Sequence, residues 1–216
     1  MSTNACIIGF LGIEAYDIIL YLSKLLSGLD KKILLMDNSE SGALTCCIPI
    51  PATLNPKFTP ISCGDMDFVR ERKVAEYKEK YEYILMDFGF RINHEDLNTC
   101  SYLFLICDRQ QHNIERLRNL KAETEVYVIL RDIVNFKVKD YILNNLAEKI
   151  HIKDCYCLYR DEIDKEYMLG LQYGNQIALK KLSAQFNYVL NQIFTKVLHF
   201  ERVAVVKAYK KAKRGA

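Results

Sequence analysis

The sequence predicts a three-layer α/β domain, a mostly parallel sheet with helices on both faces. Three observations carry this reading. Short β-rich runs alternate with helix-patterned stretches along the 216 residues. Several of those runs are apolar almost throughout, as strands covered on both faces are. The first of them, ACIIGFLGIEAYD from Ala5 to Asp17, passes through a glycine turn into a helix. Half of the residues are hydrophobic, with only 9 Gly and 4 Pro, so the chain has the makings of one ordered core.

In chain order, the first strand is expected over Ala5–Leu11 and the first helix over Glu14–Ser27. Ile18, Ile19, Leu22, Leu25 and Leu26 give that helix its apolar stripe, and Gly28 stops it. A second strand follows at Lys32–Asp37. All four prolines then fall between Pro49 and Pro60, marking a long non-helical connection that could serve as a lid or docking surface. Further strands are read at Tyr83–Asp87, Tyr102–Cys107, Glu125–Leu130 and around Cys155–Tyr159. The stretch DEIDKEYMLGLQYGNQIALKKLS reads as a capped helix and a turn, its Tyr and Met residues serving for packing. A last long helix, Gln176–Leu198, would bury Ile177, Leu182, Phe186, Val189, Leu190, Ile193 and Val197. Residues 1–200 form one domain and 201–216 a basic tail.

Charge is unevenly distributed. The chain carries +3, and its last fifteen residues hold six basic side chains (Arg202, Lys207, Lys210, Lys211, Lys213 and Arg214) without an acid; removing those six leaves about −3 on residues 1–201. Nucleic acid is therefore not an expected partner of the body, and only the tail invites it. Of the eight cysteines, Cys6 and Cys107 lie in apolar strand-like runs, Cys46-Cys47 are adjacent, and Cys155 and Cys157 alternate along an expected strand. They are read as reduced thiols in a cytoplasmic protein without a signal peptide. No C-x₂-C pair occurs and the four histidines are scattered, so no metal site is expected. No apolar run reaches the ~20 residues that span a bilayer.

In open α/β sheets ligands bind beyond the strand C-termini. Four segments end there with polar residues: Gly9–Asp17, Asp37-Asn38-Ser39-Glu40, Asp87-Phe88-Gly89-Phe90 and Asp108-Arg109-Gln110. A phosphate site works through helix N-terminal N–H groups and a lysine. The first turn instead carries Glu14 and Asp17, and the first basic residue is Lys24. Such acids cap orphan N–H groups and complement the helix dipole, each contributing roughly 0.3–1 kcal/mol. Asp37 and Asp87 have two readings, Mg²⁺- and water-handling acids or strand-end acceptors of loop N–H groups, and the second is favoured. A receiver-domain use of these acids would need a Lys where Arg131 stands. Nucleophilic catalysis has little support: His94 and His112 lie in polar segments, His94 beside Asp96 as a solvated loop pair, and Cys46-Cys47 lack a visible base.

Four segments together resemble the ParA/MinD group of P-loop ATPases, including its CpaE-like pilus-localisation branch. GIEAYDIILYLSKLL aligns with the family's GVGKTTIALNLAKLL. KKILLMDNSE resembles its second strand, YEYILMDFGF its Walker B strand, and SYLFLICDRQQHNIERL the strand and helix beyond. The resemblance implies a P-loop fold over most of residues 4–200. Its phosphate-loop positions here are Gly9, Gly12, Glu14, Ala15, Tyr16 and Asp17. On this alignment the phosphate-binding Lys is Ala15, the following Thr is Tyr16, and the hydroxyl assigned to Mg²⁺ is Asp17.

The implied function is a non-hydrolysing regulatory or scaffolding protein that binds protein partners. It would act in positioning or assembling a membrane-associated apparatus such as a pilus or secretion machine, with no cofactor. The alternative is a divergent Mg·ATP-dependent ATPase with a nucleotide-switched homodimer, using Asp37 and Asp87. A weaker one is a DNA-associated partition accessory protein. The tail is read as a solvated, partly disordered end. The sharper reading, drawn from MinD-like relatives, is a peripheral contact with the inner membrane face by an apolar side of Phe200, Val203, Val206 and Tyr209 flanked by lysines.

Overall fold

The computed structural model describes residues 4–134, 137–147, 150–174, 177 and 179–214. Its strands are β1 (Cys6–Gly12), β2 (Ile33–Asp37), β3 (Ile61–Cys63), β4 (Met66–Arg70), β5 (Tyr83–Asp87), β6 (Tyr102–Cys107), β7 (Val126–Ile133) and β8 (Ile152–Tyr159). They form one sheet in the order β3-β4-β2-β5-β1-β6-β7-β8, parallel throughout except for β3 against β4. The helices are α1 (Tyr16–Ser27), α2 (Ala43–Cys46), α3 (Gln111–Leu117), α4 (Lys137–Ala147), α5 (Glu162–Leu171), α6 (Ala184–Gln192) and α7 (Arg202–Arg214).

All six expected strands are present. The hairpin β3–β4 was not anticipated: its strands are three and five residues long, joined through Gly64 at φ +60°, and too short to show a period. The core is split by the sheet. One half gathers α1, α6 and α7 around Phe10, Leu35 and Phe104, and the other places Leu34, Met36 and Leu105 beneath α3 and α4. Each apolar strand thus feeds two cores, which is why it reads as a continuous apolar run.

The last long helix begins later than expected. Ser183 caps it, its hydroxyl accepting the Phe186 N–H at 3.1 Å, and a 3₁₀ turn at Leu179–Lys181 precedes the cap. Gln176 lies outside the described residues. A π-turn over Ile193–Val197 continues the helix, and Val197 is fully buried.

The basic tail is not a solvated end. α7 packs on α1 through Val205, Ala208 and Ala212, all buried. A Cβ on Gly28 would stand 2.8 Å from the Ala208 carbonyl oxygen, so the glycine that ends α1 also admits the last helix. The expected apolar side is divided. Phe200 stacks on Phe194 at 5.4 Å and the Tyr209 hydroxyl donates to Asn187 O at 3.1 Å, whereas Val203 and Val206 face solvent. Lys211 is paired with Asp30, and Lys207 and Lys210 are exposed. The side chains of Lys213 and Arg214 lie outside the described residues.

Candidate functional site

Strand order reverses around β1, which sits between β5 and β6. The crevice beyond its C-terminus is where such folds bind ligands. The chain leaves β1 through Gly12-Ile13-Glu14-Ala15 and enters α1. Gly12 has φ +125°, and a Cβ there would lie 2.1 Å from Ile106 O, so the close approach of β6 dictates glycine. The Gly12 N–H donates to Gly89 O at 2.6 Å and the Ile13 N–H to Ile106 O at 3.0 Å. Two donors of this turn are thereby consumed by backbone. Ala15 and Tyr16 are buried and Glu14 is exposed.

Asp17 does not cap α1. The cap position is Ala15, which makes no side-chain hydrogen bond. Asp17 is fully buried, and both its oxygens accept from Arg131, each at 2.7 Å. Arg131 stands near the end of β7 and also donates to Glu14 O at 3.1 Å and to Met168 Sδ at 3.3 Å. Burial is the largest single influence and works against its charge, but the charge and hydrogen bonds of Asp17, together with Asp132 and Tyr16, raise its pKa overall. Arg131 was weighed in the sequence only as a misfit for a lysine. A lone arginine closing the apolar run VYVILR is a usable signal, because a charge buried there needs a partner.

Asp37 is saturated. Oδ1 accepts from the Ser39 N–H (3.1 Å) and hydroxyl (2.6 Å), and Oδ2 from the Thr45 N–H (2.8 Å) and hydroxyl (2.5 Å). It clamps α2 to the end of β2. Asp87, its register partner on β5, differs: Oδ1 accepts the Gly89 N–H at 2.9 Å, and Oδ2 takes no hydrogen bond from the described residues. Burial pushes its pKa up to about 7, the Gly89 N–H opposes that, and Asp37, Glu14 and Glu40 add to it.

Between these residues lies a cavity of about 410 Å³, bounded by Glu14, Glu40 and Asp87, with Phe90 and Arg116 on its wall. The Arg116 guanidinium sits over the Phe90 ring at 3.5 Å. Three carboxyl groups thus face one guanidinium where a nucleotide-binding relative would present positive potential. The turn into α1 carries a buried Ala15 and two engaged N–H groups, and it borders a cavity lined by the carboxyl-bearing residues Glu14, Glu40 and Asp87.

The remaining candidates lie apart from this cavity. His94 is half-buried against Phe88, and its Nδ1 accepts the Asp96 N–H at 3.2 Å, so the pair is a packed loop and not a solvated one. Asp108 accepts from Gln110 N and Asn113 Nδ2, tying down the start of α3. His112 is exposed; burial pushes the Cys47 thiol up to about 12, and Cys46 is exposed.

Solved structures share this architecture. A ParA family ATPase from Chlorobium tepidum TLS superposes with a TM-score of 0.65 at 15% identity, over 90% of this chain and 99% of that one. The chain has the fold of the ParA/MinD ATPases. The MinC:MinD cell division complex of Aquifex aeolicus gives 0.64 at 12% identity, over 92% and 99% of the two chains. A plasmid partition protein of Borrelia burgdorferi B31 bound to AMPPNP gives 0.60 at 14%, over 90% and 98%. No family model matches the sequence, and no curated protein is significantly similar to it. The ParA/MinD fold is thus carried by a sequence far from these structures, and Ala15, Asp17 and Arg131 stand at the entrance to its first helix.

Proposed function

We propose that this chain is a ParA/MinD-fold protein that works by binding other proteins and not by hydrolysing ATP. The observation that carries this is the Asp17–Arg131 pair at the start of α1, behind a turn whose Gly12 and Ile13 N–H groups are already used. A phosphate-binding turn holds free N–H donors and a mobile lysine; here both are replaced by fixed internal contacts. The resemblance supplies the setting, regulation or scaffolding during positioning or assembly of a membrane-associated apparatus such as a pilus or secretion machine. The exposed face of α7, with Val203, Val206, Lys207 and Lys210, supports a peripheral contact with an anionic membrane surface.

Calorimetric titration of the full chain with Mg·ATP tests the reading. No binding is expected at millimolar nucleotide; a micromolar Kd, or clear thermal stabilisation, overturns it.

A further inference from the structure

We infer that a cavity beside α1, between Lys24 and the β3–β4 hairpin, binds the carboxylate and aliphatic chain of a medium-chain fatty acid. The cavity measures about 430 Å³, within the range of small-molecule sites, and shares no residue with the crevice beyond β1. Four parts of the chain wall it: Leu20 of α1, Ile48 after α2, Met66 of β4 and Leu171 at the end of α5. Cys46, Cys47 and Cys63 also border it. Burial pushes the Cys47 thiol up to about 12 and raises that of Cys63, so both stay protonated and behave as small apolar groups.

Lys24 is the independent observation. Among the described residues around the cavity it is the one basic side chain, and it stands half-buried without an ion pair. Its neighbours Lys31 and Lys211 are satisfied, by Glu82 and Asp30. Asp65 borders the same space, but its Oδ2 accepts the Ser27 hydroxyl at 2.9 Å and it forms no ion pair with Lys24. An ammonium group without a counter-ion, at the edge of an apolar space, matches a ligand with one anionic head and an apolar tail.

The surroundings narrow that ligand. One lysine with an aspartate nearby favours a single negative charge over a phosphate dianion, which Asp65 would repel more strongly. The walls of Leu, Ile, Met and protonated Cys suit a saturated hydrocarbon, which asks for no polar partner. Each methylene moved from water into such a space strengthens binding by about fourfold until the space is filled.

The test is calorimetric titration of the full chain with hexanoate, octanoate and decanoate below their micelle concentrations, beside decanol and inorganic phosphate. One decanoate per chain is expected, with affinity rising about fourfold per methylene along the series. Lys24→Gln is expected to weaken decanoate by about tenfold and Lys24→Arg to retain it. Lys121→Gln, at an exposed lysine before β7, is expected to leave it unchanged. Bound decanoate is also expected to slow maleimide labelling of Cys46 severalfold, since this exposed thiol borders the cavity. Absence of decanoate binding overturns the proposal, as does an affinity indifferent to chain length. So does a Lys24→Gln variant of unchanged Tm that binds decanoate as tightly as the parent chain. Decanol binding as tightly as decanoate, or phosphate protecting Cys46 equally well, overturns it too.

Discussion

Arg131 and Asp17, separated by 114 residues, meet in two 2.7 Å hydrogen bonds that fasten the end of β7 to the first turn of α1. Removing one partner leaves the other charged and buried. Asp17→Ala or Arg131→Ala is therefore expected to destabilise the chain by about 3–5 kcal/mol in urea unfolding. The double variant Asp17→Leu/Arg131→Met is expected to recover most of that loss, because neither charge then needs a partner. A double variant as unstable as the singles would contradict the ion-pair argument.

Asp87 makes stability depend on pH. Its folded pKa, about 7, lies above that of a carboxyl group in the unfolded chain. Between about pH 4 and pH 7 the native state holds a proton that the unfolded state has lost, so stability falls as pH rises through this window and levels off above it. The span is at most about 4 kcal/mol. Asp87→Asn is expected to flatten this slope and to stabilise the protein at pH 8, as read from thermal melts at stepped pH.

Asp37 accepts four hydrogen bonds, two from Thr45 in α2 and two from Ser39 in the loop before it. Thr45→Val is expected to cost about 1–2 kcal/mol, and Ser39→Ala a similar amount. Because both act on one carboxylate, the double variant should depart from additivity in a denaturation cycle. Faster hydrogen exchange over Ala43–Cys46 is the local sign of the same loss.

Placing a lysine at Ala15, which the resemblance aligns with the family's phosphate-binding Lys, is not expected to create a phosphate site. Ala15 is 1% exposed and packs in the core, so Ala15→Lys places its ammonium in a buried position beside a turn with two occupied N–H groups. The expected outcome is a lower Tm and no Mg·ATP binding by calorimetry. Micromolar affinity in this variant would show that the rest of the site is intact.

The outward face of α7 can be tested without disturbing its packed face. Lys207→Glu/Lys210→Glu is expected to leave Tm unchanged and to weaken binding to phosphatidylglycerol vesicles in co-sedimentation by about thirtyfold, at ~1 kcal/mol per lysine. Parallel titration with duplex DNA distinguishes a lipid surface from nucleic acid. Deleting 200–216 would be a poor substitute, since Val205, Ala208 and Ala212 cover α1.

Local pattern made most of the sheet readable. Runs such as ILLMD and YILMD are apolar because both faces are covered, and each ends on its aspartate where the chain turns. The short β3–β4 hairpin carried no such period. The acids of the first turn were visible, and their sign argued against phosphate, but the partner of Asp17 was hidden because β7 and α1 meet only in three dimensions. The tail was misjudged for the opposite reason. Its lysines, with Val203 and Val206, describe one side of α7, while Val205 and the small Ala208 and Ala212 make the contact.

That contact orders events during synthesis. α1 is among the first elements made, yet the helix that covers its C-terminal half, α7, ends at Arg214. At ribosomal speed the intervening 180 or so residues take roughly 10–40 s. Throughout that interval the apolar flank of α1 lacks its cover, so a nascent or truncated chain offers chaperones and proteases a surface that the finished protein withdraws.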